Sequence, residues 1–270
     1  MSTRQIRCCR IRQTKNNPFG YKETFFDSEE LQNRFIAMWV EFEKRYADKP
    51  EVMFELLNEV RNIDPELWND LADRTIKAIR EINPERKIIV GSICWNRQEC
   101  LKDLRVWDDE NIIYTFHMYD PHMFTHQRGV LQSGWLYANM ALPYPTDDVE
   151  RYRTVQRIVS GNPEQVCFEG DKRIDRDHLK KLLLPAKKFA DAHLDKILWC
   201  GEFGTIRHCK IEYRENWMED VISILNEFDM PYSVWNYLST PNDGNRFSLV
   251  DDDTREILSE RMLKIINGTL

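Results

Sequence analysis

Two carboxylates stand where apolar runs give out. Glu59 follows Asn58 at the end of EVMFELLNEV, and Glu202 sits inside CGEFG. Three more runs end in polar or aromatic groups: GSICWN in Trp95 and Asn96, NIIYTFHMY in His117 and Tyr119, PYSVW in Trp235-Asn236-Tyr237. In parallel α/β folds the carboxyl ends of the strands carry the ligand. Two glutamates at that face have the chemistry of glycosidic bond hydrolysis. One carboxyl protonates the leaving oxygen, and the other attacks the anomeric carbon or activates water. Aromatic rings suit the apolar faces of sugars, Asn, His and Tyr hold hydroxyls, and the glycines beside Glu202 permit close approach. Glu55, in mid-strand, reads as a structural group.

A metal is the competing use for His117, Asp120, His122 and His126. Their spacing matches no ligand motif, and Pro121 interrupts a regular helix, so neither metal nor cofactor is expected. The chain has no P-loop, no GxGxxG after a strand and no GxSxG elbow, which argues against nucleotide and serine-esterase chemistry.

The elements that must position these groups alternate. Asp27, with Glu30 three residues on, is read as the cap of a helix over 28–47 whose apolar face is Leu31, Phe35, Met38, Phe42 and Tyr46. A strand over 52–57 follows, and then a helix opened by Asp64-Pro65. KIIVGS and NIIYTFHMY read as strands. From Asp120 to about Asp175 there is little periodicity, the mark of an excursion over a site. A helical pattern returns over 177–194, kinked or split at Pro185. Strand ILWC, a helix over 212–229, strand PYSVW and a last helix complete one α/β domain spanning 1–270, with an atypical segment at 1–24.

The bulk numbers fit that picture. The 270 residues are 42% hydrophobic, 11% aromatic and 31% charged, enough for a core and a hydrated surface. A net charge of −7 argues against nucleic acid or anionic membrane as a partner. No stretch approaches the roughly 18 apolar residues of a membrane span. Seven scattered cysteines look like free thiols rather than a disulfide framework. The cytoplasm is the expected compartment, or the exterior if a signal peptide has been lost.

FELLNEV, TFHMYDPHMFTHQ, CGEFG and VWNY, in this order and spacing, resemble glycoside hydrolase family 5, the cellulase family of retaining (β/α)8 barrels, from about Phe25 onward. The resemblance implies a β-glucan hydrolase, β-1,4 favoured and exo-β-1,3 open, acting by double displacement. It implies Glu59 as acid/base and Glu202 as nucleophile. Asn58 would bond the sugar 2-hydroxyl, His117 and Tyr119 would line the site, and Trp235 would stack on the sugar, with Trp95 and His126 as further substrate contacts.

Two departures stand out. Val60 occupies the place of the family's usual proline. The helix at 28–47 aligns with the family's third, so the first strands, their arginine and a third-strand histidine have no counterpart; no histidine precedes His117. The expected fold is therefore an incomplete TIM-type (β/α) barrel of about five parallel strands with helices outside. Its open edges point to self-association, a homo-oligomer with a β-linked oligo- or polysaccharide as ligand. The alternative reading is an impaired barrel fragment that binds carbohydrate without efficient turnover.

Overall fold

The computed structural model describes residues 4–7, 25–129, 140–160, 168–239 and 246–269, the first group through its backbone. The chain falls into two compact units, Met1–His117 with Pro185–Trp199, and Met118–Leu184 with Cys200–Leu270.

In the first unit four parallel strands lie in chain order: β1 (Arg4–Arg7), β2 (Val52–Glu55), β3 (Ile88–Gly91) and β4 (Ile112–Met118). Phe54 pairs with Ile88, and Ile88 with Ile112. β3 and β4 are buried throughout and largely apolar, with Thr115 and His117 the polar members of β4, as suits strands covered on both faces. Helix α1 (Glu29–Tyr46) precedes β2, and α2 (Pro65–Arg80) joins β2 to β3. Pro65 opens α2 behind the cap Asp64, whose carboxylate accepts the Glu66 N–H. Five strands match the expected runs. β1 is an addition, drawn from the basic N-terminal segment and paired to β2.

Three expectations are corrected. The cap of α1 is Ser28, whose hydroxyl accepts the Leu31 N–H; Asp27 closes a preceding turn of 3-10 helix. The buried stripe of α1 is Phe35, Trp39 and Glu43, while Leu31 is exposed. Trp39 sets that rotation, because its indole packs on Phe54 with ring centres 5.1 Å apart. Finally, the 120–175 region contains a helix of three turns, α3 (Val149–Ser160), burying Val149, Tyr152 and Val155.

The buried Glu43 has a dedicated partner. The Arg86 guanidinium sits 2.6 Å from Glu43 Oε2 and 3.1 Å from Oε1. It also donates to the carbonyls of Tyr46 at 2.6 Å, Lys49 at 2.8 Å and Val52 at 2.6 Å. Both side chains are buried.

Helix α4 (Arg176–Ala192) carries Pro185 inside an unbroken helix, so the chain is not split there. In the second unit the end of β5 (Ile197–Phe203) pairs in parallel with β6 (Tyr232–Val234), Cys200 opposite Tyr232 and Phe203 opposite Val234. Helix α5 (Ile211–Glu227) joins them and buries Trp217, Val221 and Leu225; a short α6 (Glu260–Ile266) follows. Cys94, Cys100, Cys200 and Cys209 carry free thiols, as expected.

Candidate active site

In the first unit β2 runs out through buried Leu56 and Leu57 into Asn58 and Glu59. Glu59 takes a left-handed backbone, φ 51°, which re-aims its side chain at the strand end. Its Oε1 lies 2.9 Å from Nδ1 of His117, a buried residue at the end of β4. On the far side of the same imidazole, Nε2 lies 3.4 Å from Nδ2 of Asn96. Asn96 closes a turn after β3 in which Cys94, Trp95 and Asn96 have φ of 58°, 60° and 56°. The Trp95 N–H donates to the Val60 carbonyl at 2.7 Å, fastening this turn to the one behind Glu59. Val60, standing where the family has proline, is thus a buried core residue with a bonded carbonyl. Trp95 is 55% exposed. Asn58 Oδ1 is buried with no partner among the described residues.

In the second unit Glu202, near the end of β5, is buried and accepts a hydrogen bond from Tyr119 Oη at 2.9 Å. The Tyr119 ring is held edge-on by His126, centroids 5.1 Å apart, and by Phe247 at 5.8 Å. The Thr125 hydroxyl donates to the Tyr119 carbonyl. Burial, aided by neighbouring His122, pushes the His126 pKa well below the ordinary imidazole value, so this ring is neutral. His126, expected as a substrate contact, is buried and packs on Tyr119 and Phe247.

After Glu202 the chain passes through Phe203, whose carbonyl accepts the Trp235 N–H at 2.8 Å, to Gly204. A β-carbon on Gly204 would stand 2.1 Å from the Trp235 carbonyl oxygen. Only glycine allows β5 and the end of β6 to approach this closely. Trp235, 40% exposed, precedes a cis peptide to Asn236. Gly204→Ala is expected to push Trp235 away and lower stability by about 1–3 kcal/mol, the usual cost of overpacking. A thermal melt with oligosaccharide titration measures both effects; an unchanged melt and affinity would disprove the close-approach account.

The structure therefore joins Glu59 to His117, and Glu202 to Tyr119, as pairs. Asn96 is visible in the sequence as a strand-end amide, but the sequence reading does not assign it to the site. Its signal is the residue type, since Asn tolerates the left-handed region better than most residues.

The family model for cellulase, glycosyl hydrolase family 5, matches residues 14–240. The chain belongs to that family. Endoglucanase C of Acetivibrio thermocellus is 35% identical to it over 246 residues, covering 90% of this chain and 68% of that protein. Cellodextrinase A of Ruminococcus flavefaciens is 31% identical over 212 residues, 77% of this chain and 55% of that one. Among solved structures, endoglucanase Cel5A from the hyperthermophile Thermotoga maritima superposes with a TM-score of 0.72 at 24% identity, over 97% of this chain and 71% of that chain. This member of family 5 is thus a glycosidase by descent, and its fold is an incomplete α/β barrel. Among the described residues, no helix is long and apolar enough to cross a membrane.

Proposed function

We propose that this family 5 protein hydrolyses β-glucan with retention of anomeric configuration, with β-1,4 linkages preferred. One observation carries the reading: His117 and Tyr119, two residues apart at the end of β4, each hold one of the two glutamates. Within each unit a strand-end glutamate is thus bonded to a side chain able to orient it. The relatives' names point the same way. They include an endoglucanase, a cellodextrinase and an endo-β-1,4-glucanase solved with substrate.

In this mechanism Glu202, oriented by the Tyr119 hydroxyl, attacks the anomeric carbon. The bond to the leaving oxygen breaks as Glu59 delivers its proton to that oxygen. Glu59 then takes a proton from water, which displaces Glu202 and frees the sugar. Asn58 has a buried oxygen to offer a sugar hydroxyl, and Trp95 and Trp235 offer exposed rings to its apolar faces. His126 packs on Tyr119 beside the nucleophile and is a further contact for the substrate in this reading.

Retention requires the two carboxyls about 5–5.5 Å apart, against roughly 6.5–9.5 Å for inversion. Proton NMR of the first product released from a β-1,4-oligosaccharide should show the β-anomer before mutarotation. The α-anomer would sink the double-displacement assignment.

A further inference from the structure

The His117 imidazole has two ring nitrogens with different neighbours, and which one carries the proton decides what Glu59 does. We propose that Asn96 is a positioning residue for this reaction: it fixes the His117 tautomer, and through it the oxygen of Glu59 that carries the transferable proton. The inference rests on the glycosidase reading above.

Asn96 Nδ2 is a donor only, and it faces Nε2 at 3.4 Å. Nε2 must then present its lone pair, so in the neutral ring the proton sits on Nδ1. From there it is donated to Glu59 Oε1 at 2.9 Å. An oxygen that accepts this bond is a poor place for the acid's own proton. That proton is directed to Oε2, which is left to serve the departing glycosidic oxygen. With the opposite tautomer, Nδ1 would be an acceptor and a protonated Glu59 would spend its proton on the ring.

Three observations show that the fold gives up stability to place this amide. Asn96 is fully buried, yet its Oδ1 has no hydrogen-bond partner among the described residues. It ends a run of three non-glycine residues held in the left-handed region. Its amide lies so close over Gly91 that a β-carbon there would stand 2.4 Å from Oδ1 and 2.5 Å from Nδ2. An orphaned oxygen, a strained turn and a glycine floor converge on one contact, the one with Nε2. Unsatisfied polar groups and strained backbone of this kind cluster at functional sites.

The test uses whole protein labelled with 15N-histidine, the His117 signals being assigned by their loss in His117→Gln. Long-range 1H–15N correlation spectra distinguish Nδ1–H from Nε2–H directly. The wild type should show Nδ1–H. Asn96→Asp, similar in size and tolerant of the same backbone, puts an acceptor at Nε2 and should move a proton onto that nitrogen; Asn96→Leu should give mixed tautomers. Both should lose about 10–100-fold in kcat on β-glucan with KM within about twofold, the pattern of a lost transition-state interaction. An Nε2–H signal in the wild type overturns the proposal. So does an unchanged tautomer in a folded Asn96→Asp, or an altered tautomer with unchanged kcat. A wild type that cleaves no glucan defeats the glycosidase reading instead, and the spectra still decide which tautomer Asn96 imposes.

Discussion

Glu202→Gln should lower kcat on β-1,4-glucan by on the order of 10⁴-fold while leaving oligosaccharide affinity within a few fold, since removing a covalent nucleophile costs at least that much in comparable enzymes. The amide keeps the size of the carboxylate and can still accept from Tyr119 Oη, now at 2.9 Å. It cannot attack carbon. Because Glu202 is buried and forms its bond to a neighbouring side chain, the exchange should fold normally. Reducing-sugar release beside calorimetric titration with cellotetraose reads both quantities. If the wild type binds but does not turn over, and the variant behaves identically, the chain is a carbohydrate binder rather than a working enzyme. The chain spans 68% of endoglucanase C, so this experiment also reports whether that span is sufficient for catalysis.

The second large effect concerns stability. Arg86→Leu should cost about 3–5 kcal/mol, because it leaves the Glu43 carboxylate buried without its countercharge. Three carbonyls, those of Tyr46, Lys49 and Val52, lose a donor at the same time. For a chain of this size the loss corresponds to a fall in Tm of about 6–20 °C. Replacing both partners, Glu43→Leu with Arg86→Met, should recover part of it, since the desolvation of two ions disappears with the pair. Differential scanning calorimetry of the single and double variants decides the matter. A single variant within 1 °C of the wild type would show that the pair contributes nothing.

Much of the fold and of the site is legible in the amino-acid sequence, for physical reasons. β3 and β4 are runs of β-branched and apolar residues, and only a strand covered on both faces needs such a run. The polar residues closing those runs can be recognised because they break so strong a pattern. For helix α1 the pattern gives the extent correctly and the rotation wrongly. Leu31 and Trp39 are both apolar at helical spacing, and nothing local says that Phe54 is waiting for the indole. A buried Glu43 runs against the pattern outright, and its distant partners Arg86 and Asn83 make sense of it. Helix α3 is hard to see because Arg and Glu crowd the residues between Val149, Tyr152 and Val155. The Asn96 contact is beyond reach for a different reason. It depends on three successive left-handed residues, of which only Asn96 is of a type that favours that region, whereas Cys94 and Trp95 give no sign of it.

The Arg86 guanidinium has one more consequence, for how freely this sequence can drift. The turn over 47–51 has side chains that are largely exposed, and the carbonyls that shape it are gripped from inside by a side chain belonging to another loop. Part of the information for that turn, beside its own backbone hydrogen bonds, is therefore stored some forty residues downstream. Substitutions within the turn can accumulate with little effect on its course, whereas position 86 admits almost none. Among relatives the turn should vary in composition while keeping its length, and the arginine should travel with the glutamate.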